Sequence, residues 1–529
     1  MFKILVSDAI EEKGLALLKG EKEIQVDVKT KLPPEELKAI IGEYDALLVR
    51  SATKVTKDII QAAKKLKVIG RAGVGVDNVD LEAATKQGII VMNTPEGNTI
   101  STCEHTLSML LALNRNIPQA HAAVRAKEWK RDRFIGAELA GKTIGIIGFG
   151  RIGREVAKRL QAFSMRILAY DPFIAANGMS DPSVEITSDL NAVISQSDYI
   201  TVHTPLTRET EHLINEQAFQ KMKPGVRIIN CARGGIIDEK ALYDAIKSGK
   251  VKGAALDVFE KEPPGDNPLL TLDQVIVTPH LGASTEEAQE NVSVAVAKQV
   301  VDVLLGREIR NAVNMPSLDT KTLNILRPWI NLAEKLGSMH TQLFEGSIKA
   351  VTLKYSGEVT QFPLAPLTLA AIKGLLTPIC GEGVVNFVNA PVIAKERGIT
   401  INESKTSHLQ DFANFISLEV TLTKESHTIT GTLFGKTDSR IVKIDDFFLD
   451  ATPKGNLLFI HNEDKPGVVG EVGTILGKNS INIAEMTLGR KDDHKSAITV
   501  INTDSDVPDT VIEQIKKSPK IIDCKLLKL

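Results

Sequence analysis

Short aliphatic, β-branched runs that alternate with amphipathic stretches constrain the fold of this chain more than any other feature. The first such runs read FKILVSD, DALLVRS, KVIGRAG and GIIVMNT. A second series reads KTIGIIGFG, RILAYD, YITVHTP, VRIINCARGG, GAALDVF and QVIVTPH. Strands separated by helix-length segments form parallel sheets with helices on their faces. The pattern therefore predicts an α/β fold with two doubly wound domains of Rossmann-like or flavodoxin-like type.

Two long amphipathic stretches are predicted to connect these domains. They read STCEHTLSMLLALNRNI and STEEAQENVSVAVAKQVVDVLLG. Ser101 with Glu104, and Ser284 with Glu287, have the spacing of a capping box, in which a serine caps a helix that carries a glutamate three residues later. We therefore expect a capped helix at each place, leading the chain across from one domain to the other.

The chain has 529 residues, too many for one hydrophobic core, so further domains are expected. Residues 317–453 mix helical and β-rich segments and predict an α+β domain. Residues 455–529 show the order strand, helix, strand, strand, helix, strand, which is the ferredoxin-like βαββαβ plan.

Composition excludes several classes of function. The chain is 43% hydrophobic and 25% charged with a formal net charge of -2, so no nucleic-acid or membrane partner is expected. The four cysteines are far apart and form no CxxC pair, which argues against a disulfide framework and a zinc site. We propose no metal site. Without a signal-peptide pattern, the sequence predicts a cytoplasmic protein.

The glycine-rich segment GIIGFGRIG is a candidate dinucleotide site. Gly148 would permit the turn, Gly150 would leave room for a pyrophosphate, and Gly153 would let the following helix pack against the strand. Asp171 stands at a strand end 21 residues after Gly150, where a carboxylate accepts hydrogen bonds from ribose hydroxyls and repels a 2′-phosphate. The segment predicts binding of NAD and not NADP; the alternative is a tight turn that binds nothing.

Three charged residues follow predicted strands and could carry out hydride-transfer chemistry. Arg233 offers a planar fork for a carboxylate, His280 could carry the hydroxyl proton, and Glu262 would orient and charge the imidazole. Ligands of doubly wound sheets lie beyond the carboxyl ends of the strands, where these residues should meet. The alternatives are a surface arginine and a structural histidine.

The segments GFGRIGREVAKRLQAF, NCARGGIIDEKAL, ALDVFEKEPP and TPHLGASTEEAQ are similar to the D-2-hydroxyacid dehydrogenase family. The segment NEDKPGVVGEVGTILGKNSINIAEM resembles an ACT regulatory domain. The resemblance implies a substrate-binding domain of residues 1–97 plus 290–312, an NAD-binding domain of 98–289, an intervening regulatory domain of the allosteric substrate-binding type, 317–453, and an ACT domain, 455–529. It also implies that Arg233, Glu262 and His280 are the catalytic residues.

The resemblance extends to binding residues. The implied cofactor contacts are Gly148, Gly150, Arg151, Ile152, Gly153, Asp171, Thr204, Cys231, Ala232, Arg233, Asp257, His280, Gly282 and Ala283. The candidate substrate-binding residues are Arg50, Arg71, Gly73, Val74, Gly75 and, from a neighbouring subunit, Arg131. The candidate effector-binding residues are Asn462, Asp464 and Asn482. Any one of the arginines could instead be a solvated surface charge, and the C-terminal domain could be purely structural.

The resemblance further implies NAD-dependent oxidation of 3-phosphoglycerate to 3-phosphohydroxypyruvate, at the start of L-serine biosynthesis. Reduction of 2-oxoglutarate is an expected side reaction, L-serine an expected effector, and a homodimer or homotetramer the expected assembly. Two alternatives are a dehydrogenase of glycerate, hydroxypyruvate or another 2-hydroxy acid and an NAD-sensing corepressor that acts by binding partners.

Overall fold

The computed structural model describes residues 1–176, 183–406, 414–491 and 495–529. Its first domain is built on a parallel sheet with the strand order β2-β1-β3-β4-β5. The strands are β1 (Phe2–Val6), β2 (Ile24–Val28), β3 (Ala46–Val49), β4 (Val68–Arg71) and β5 (Ile90–Met92), and the helices are α1 (Glu12–Gly20), α2 (Pro34–Ile40), α3 (Lys57–Ala62) and α4 (Leu81–Lys86). Four of these strands were predicted. β2 was missed because its alternating, half-exposed residues IQVDV lack the aliphatic run of a central strand.

The second domain contains the glycine-rich turn and a seven-stranded sheet of order β12-β11-β10-β9-β6-β7-β8. The strands are β6 (Thr143–Ile147), β7 (Arg166–Tyr170), β8 (Glu185–Thr187), β9 (Tyr199–Val202), β10 (Val226–Asn230), β11 (Val251–Leu256) and β12 (Val275–Val277). The helices are α5 (Thr99–Asn114), α6 (Ile117–Arg125), α7 (Arg151–Gln161), α8 (Pro172–Ala176), α9 (Leu190–Gln196), α10 (Glu216–Lys221) and α11 (Glu239–Lys247). The neighbouring strands are parallel, and the order reverses at β6, as in a doubly wound sheet.

The two connecting helices are present, but their capping differs from the prediction. α5 begins at Thr99, so Ser101 lies inside the helix, where its Oγ is 2.8 Å from Thr285 Oγ1. α12 (Glu286–Leu304) is capped by Thr285, whose side chain accepts from Ala288 N–H, and not by Ser284. In each case the pattern located the helix but not its first residue: α5 begins after Asn98, three residues before Ser101, and α12 begins after Thr285, next to Ser284.

α12 returns the chain to the first domain. Val296 and Val300 pack against the sheet at Gly70, where a Cβ would come within 2.7 Å of both side chains. The predicted domain boundary at residue 290 falls inside this helix. The two domains are therefore linked by α5 and α12, with a cleft between them.

The intervening and C-terminal domains share one ten-stranded sheet of order β14-β13-β15-β16-β17-β18-β20-β21-β19-β22. The intervening domain contains α13 (Thr320–Leu343), β13 (Ile348–Ser356), α14 (Ala365–Cys380), α15 (Ala390–Glu396), β14 (Thr400–Thr406), β15 (Phe415–Leu422), β16 (Ser426–Phe434), β17 (Asp438–Ile444) and β18 (Phe447–Ala451). The C-terminal domain contains β19 (Asn456–Glu463), α16 (Val468–Lys478), β20 (Ile483–Arg490), β21 (Ser496–Thr503), α17 (Asp509–Lys516) and β22 (Ile521–Lys528). This confirms the predicted α+β and βαββαβ domains.

No helix in the described ranges combines the length and the apolar character needed to cross a lipid bilayer.

Candidate active site

The carboxyl ends of β10, β11 and β12 carry the candidate catalytic residues at one edge of the sheet. Asn230 Nδ2 donates to the Arg233 carbonyl at 2.8 Å, which fixes the turn after β10. Asp257 N–H donates to the Asn230 carbonyl, and His280 N–H donates to the Asp257 carbonyl, both at 2.9 Å. These bonds tie together the loops that hold Arg233 and His280, because adjacent parallel strands end at the same edge.

His280 and Glu262 form a hydrogen-bonded pair at this edge. His280 Nδ1 is 2.8 Å from Glu262 Oε2, and Phe259 N–H donates to Glu262 Oε1 at 3.2 Å. His280 has a φ of 56°, an uncommon conformation for a residue with a side chain, held here by the backbone bonds of its turn. With Nδ1 directed at the carboxylate, Nε2 is the ring atom that can exchange a proton with a ligand.

Arg233 reaches from the second domain to the first. Its Nε is 3.3 Å from Asp77 Oδ2, and its Nη1 donates to the Ala232 carbonyl at 2.7 Å. Its Nη2 lies against Gly75, where a Cβ would collide with it. The guanidinium therefore lies in the cleft between the domains, beside the glycine loop that follows β4.

A second arginine lies near the first at the end of β4. Burial and the like charge of Arg233 lower the pKa of Arg71 to about 10, so its guanidinium stays protonated at neutral pH. Among the described residues, Arg71 Nε is buried without a hydrogen-bond partner, an arrangement that favours an incoming anion. Arg50 follows β3, and its Nη1 donates to the Ala9 carbonyl at 3.3 Å.

The backbone N–H groups predicted to donate to the substrate carboxylate are not equivalent. Gly73 N–H already donates to Thr94 Oγ1 at 2.7 Å. The Val74 carbonyl accepts from Asn93 Nδ2 at 2.5 Å, which fixes the next peptide. The Gly73 amide therefore already has a partner, and its role as a carboxylate donor, like those of the Val74 and Gly75 amides, stays a prediction.

The glycine-rich turn has the geometry that a dinucleotide site needs. Gly148 has a φ of 94°, and a Cβ there would lie 2.8 Å from the His203 carbonyl. A Cβ on Gly150 would meet open space, whereas one on Gly153 would collide with the Gly148 carbonyl. Gly150 thus faces a space that a ligand can enter, and Gly153 allows α7 to pack against the turn.

Two further residues fit a bound nucleotide at this turn. Asp171 follows β7, and its Oδ2 accepts from Phe149 N–H at 3.0 Å while its Oδ1 accepts from Phe173 and Ile174 N–H. Thr204 Oγ1 is buried without a hydrogen-bond partner in the described chain. An orphaned hydroxyl next to the glycine turn is an observation that a polar ligand would explain.

The structure also places the other implied cofactor residues. Arg151 Nη2 is 3.3 Å from Glu96 Oε1, and Ile152 packs against the core under α7. Cys231 is buried, and burial raises its pKa to about 12, so it is a thiol at neutral pH. Ala232 N–H donates to Asn230 Oδ1 at 3.0 Å, while Gly282 and Ala283 belong to the turn after His280.

A buried carboxylate holds that turn in place. Asp257 accepts from Leu281 N–H at 2.7 Å, Gly282 N–H at 2.9 Å and Thr278 Oγ1 at 2.5 Å. His105 Nε2, on α5, is 3.1 Å from the same carboxylate. Burial acts to raise the pKa of Asp257, but these hydrogen bonds outweigh it and lower the pKa. Sequence reasoning missed His105 because nothing in a helical pattern indicates a partner 152 residues away.

The candidate effector residues do not converge within one chain. Asn462 is buried, with its amide donating to the Glu463 carbonyl, and Asp464 Oδ2 is 3.3 Å from Arg490 Nε. Asn482 lies before β20, at the opposite end of the sheet, and donates to Asp504 Oδ2 at 2.5 Å. Arg131 lies in the exposed 3-10 turn Arg131–Phe134. The roles of these residues stay predictions.

Comparison with known proteins defines the class. The profile of the D-isomer specific 2-hydroxyacid dehydrogenase NAD binding domain matches residues 107–282. The D-3-phosphoglycerate dehydrogenase intervening domain matches residues 325–445, and the ACT domain matches residues 456–520. These matches place the chain among NAD-dependent dehydrogenases of the D-2-hydroxyacid class and confirm NAD as the cofactor.

Relatives of full length define the family within that class. The chain is 47% identical to D-3-phosphoglycerate dehydrogenase of Synechocystis sp., over 100% of this chain and 95% of that one. It is 47% identical to D-3-phosphoglycerate dehydrogenase of Methanocaldococcus jannaschii and 44% identical to that of Bacillus subtilis, over the whole of both chains. The chain belongs to the D-3-phosphoglycerate dehydrogenase family.

Solved structures resemble the two-domain core. D-lactate dehydrogenase of Aquifex aeolicus, complexed with NAD and lactic acid, is 31% identical with a TM-score of 0.51, covering 57% of this chain and 96% of that one. NAD-dependent formate dehydrogenase of Staphylococcus aureus, in complex with NAD, is 31% identical with a TM-score of 0.53, covering 58% of this chain and 97% of that one.

Proposed function

We propose that this chain oxidises 3-phospho-D-glycerate to 3-phosphohydroxypyruvate with NAD, the first step of L-serine biosynthesis. The observation that carries the proposal is the His280–Glu262 pair, with its 2.8 Å hydrogen bond, on strand ends that also hold Arg233. Full-length similarity to D-3-phosphoglycerate dehydrogenases supports this substrate over other 2-hydroxy acids. It also disfavours a corepressor that acts only by binding partners.

NAD would be held by the glycine turn and the residues that face it. The N–H groups at the start of α7 suit the pyrophosphate, and Asp171 suits the adenosine ribose. The unpartnered Thr204 hydroxyl supplies a further polar contact. When bound, NAD supplies the acceptor for the hydride that leaves the hydroxyl-bearing carbon.

Arg233 would hold the substrate in the reacting orientation. The end of its guanidinium, formed by Nη1 and Nη2, can bind the carboxylate through two parallel hydrogen bonds. A carboxylate fixed in this way presents the neighbouring C–H and O–H groups in one defined direction, which lowers the entropic part of the barrier.

His280 would accept the hydroxyl proton. As the C–H bond breaks, the O–H proton passes to Nε2 while Nδ1–H donates to Glu262. The carboxylate stabilises the imidazolium that forms and keeps the ring in the tautomer with Nε2 unprotonated before the reaction. In the reverse direction the imidazolium returns the proton to the oxygen of the 2-oxo acid.

The phosphate would be bound by the arginines of the first domain. Arg71, at the end of β4, and Arg50, after β3, lie on the substrate side of the cleft, and Arg131 of a second subunit is a further candidate. The second carboxylate of 2-oxoglutarate could occupy the same site as the phosphate, which supports 2-oxoglutarate reduction as a side reaction. The ACT domain supports regulation by a small molecule, for which L-serine at an interface between two copies is our candidate. The homo-oligomer and the cytoplasmic location stay predictions.

The test is a steady-state assay of NADH formation. We expect turnover with 3-phosphoglycerate and a kcat/KM at least 100-fold lower with D-glycerate and D-lactate, which lack the phosphate. Turnover of D-glycerate equal to that of 3-phosphoglycerate would contradict the assigned substrate. Addition of L-serine to the same assay, with the molecular mass measured in parallel, tests the effector and the assembly.

A further inference from the structure

Asp77 contacts Arg233 across the cleft between the two α/β domains. Asp77 lies in the loop after β4 of the first domain, and its Oδ2 is 3.3 Å from Arg233 Nε. Its side chain is 72% exposed, whereas that of Arg233 is 26% exposed. An exposed ion pair usually contributes less than about 1 kcal/mol to stability, so stability does not explain this contact.

The arrangement of N–H donors on the Arg233 guanidinium explains the contact with Asp77 better than stability does. A guanidinium has five N–H groups in a rigid plane. Nε is 3.3 Å from Asp77 Oδ2 in an ion pair, one Nη1–H donates to the Ala232 carbonyl, and Nη2 lies against Gly75. A hydrogen bond on one nitrogen and an ion pair on another restrict the rotation of the guanidinium. The outer edge, with one N–H of Nη1 and one of Nη2, is then left for a ligand.

The charge balance of the cleft adds a second reason. Arg71 is half-buried close to Arg233, and the two cations repel each other. Asp77 is the carboxylate that most strongly opposes this repulsion and favours the charged form of Arg71. Without a negative group at this place, the Arg233 side chain would be free to move away from Arg71 into solvent.

We propose that Asp77 is a positioning residue, which holds Arg233 so that its Nη1–Nη2 edge faces the substrate carboxylate. The proposal rests on the function proposed above and adds a residue that acts on the substrate only through Arg233. It predicts weaker recognition of the carboxylate and no loss in recognition of the phosphate.

The first experiment compares Asp77→Asn with Asp58→Asn. Asp58 is in the same domain, is 71% exposed and pairs with Lys38 on the surface, which makes it a matched control. We expect Asp77→Asn to lower kcat/KM for 3-phosphoglycerate about 10-fold or more at an unchanged melting temperature, and Asp58→Asn to match the wild type. If Asp77 merely blocked Arg233 and were displaced by substrate, Asp77→Asn would lower KM; that result overturns the proposal.

The second experiment uses inhibitors that divide the substrate into its two charged parts. Oxalate carries carboxylates without a phosphate, and glycerol 3-phosphate carries a phosphate without a carboxylate. Asp77→Asn should raise the inhibition constant of oxalate about 10-fold and should not raise that of glycerol 3-phosphate, because loss of a negative charge beside Arg71 does not weaken a phosphate site. In an Arg233→Ala background, Asp77→Asn should not weaken oxalate binding further, because the two residues act as a unit.

The positioning role would be refuted if Asp77→Asn raised the inhibition constants of both inhibitors by the same factor. It would also be refuted if Asp77→Asn weakened oxalate binding as much in the Arg233→Ala background as in the wild type. Failure of the wild type to oxidise 3-phosphoglycerate would instead refute the proposed function, so the two failures are distinguishable.

Discussion

At the scale of single residues, the proton-carrying role assigned to His280 is open to a direct test. Glutamine at this position could still hydrogen bond to a ligand but could not accept a proton. Since general acid–base groups contribute roughly 10²–10⁴-fold, His280→Gln should lower kcat by at least about 10²-fold. Glu262→Gln should cost less, because the imidazole is retained. The measurement is kcat against pH for both variants, and a wild-type rate in His280→Gln would refute the role.

Gly75 provides a test of the space around Arg233. A Cβ at this position would collide with Arg233 Nη2 and lie 2.6 Å from Asp77 Oδ2. These are the ends of flexible side chains, so Gly75→Ala should displace the guanidinium without unfolding the domain. We expect kcat/KM to fall about 10-fold or more and the melting temperature to change by about 2 °C or less. Gly20→Ala is the control, because a Cβ on Gly20 meets no atom within 4 Å.

The residues that the sequence could predict are those that follow strands. Arg233 and His280 stand directly after aliphatic runs, and parallel strands end at one edge, so their proximity follows from topology. Asp77 and His105 could not be predicted in this way. Asp77 contacts Arg233, and His105 contacts Asp257 and Thr278, and such side-chain contacts between distant segments leave no periodicity in a sequence.

At the scale of elements, the turn after β12 depends on one carboxylate. Asp257 accepts two backbone N–H groups, the Thr278 hydroxyl and His105, and it is almost fully buried. Asparagine can accept on only one side-chain oxygen, so Asp257→Asn would leave buried donors without partners. Each unpaired buried donor costs about 1–3 kcal/mol of folding free energy. The loop that carries His280 would move as a result.

We therefore expect Asp257→Asn to lower both the melting temperature and kcat. The variant should lose about 2 kcal/mol or more of unfolding free energy in urea, together with at least about 10-fold in kcat. Asp273→Asn, at an exposed aspartate just before β12, is the control and should change neither. An Asp257→Asn variant of wild-type stability would show that the backbone alone fixes the turn.

Helices and strands with a strong hydrophobic periodicity were predicted from the sequence, and those with a weak hydrophobic pattern were not. The βαββαβ order of residues 456–528 was confirmed because its strands are apolar and its helices amphipathic. The joining of this domain to the intervening domain through β18 and β20 was not predicted. It rests on a short strand pairing at Phe448 and Arg490, which tertiary packing and not local pattern decides.

At the scale of the whole molecule, contacts run from the ACT domain to the catalytic core. The shared sheet ties the ACT domain to the intervening domain, and Asn386 Nδ2 of the intervening domain donates to the Gly88 carbonyl of the first domain at 2.8 Å. Lys86 also lies 3.6 Å from Glu396 of α15. An effector bound at the ACT domain regulates the cleft only if it binds the open and closed arrangements with different affinity.

Two histidines with lowered pKa values make the stability of separate domains depend on pH. Burial lowers the pKa of His203, in the NAD-binding domain, to about 4. Burial and the nearby His427 lower the pKa of His340, in the intervening domain, to about 3. Both nitrogens of His340 are buried without a hydrogen-bond partner among the described residues. In the unfolded chain each ring has its ordinary pKa of about 6.5.

The unfolded state therefore binds more protons than the folded state below pH 6.5, and acid favours unfolding. Each histidine contributes stability that is fully present above about pH 6.5 and is lost as the pH falls toward its folded value. At pH 5 the loss is about 2 kcal/mol for each histidine, at about 1.4 kcal/mol per pH unit below 6.5. Calorimetry at pH 7.5 and pH 5 should show lower melting temperatures for both domains.

His340→Leu separates this effect from general acid denaturation. Leucine cannot be protonated, and no hydrogen bond is lost when the imidazole is removed. Between pH 7.5 and pH 5 the unfolding free energy of the intervening domain should therefore fall by about 2 kcal/mol less in this variant than in the wild type. The NAD-binding domain, which keeps His203, should respond as before. His121→Gln, at an exposed histidine of α6, should leave both transitions unchanged. If the intervening domain of His340→Leu responds to acid as strongly as that of the wild type, the pH dependence comes from other groups.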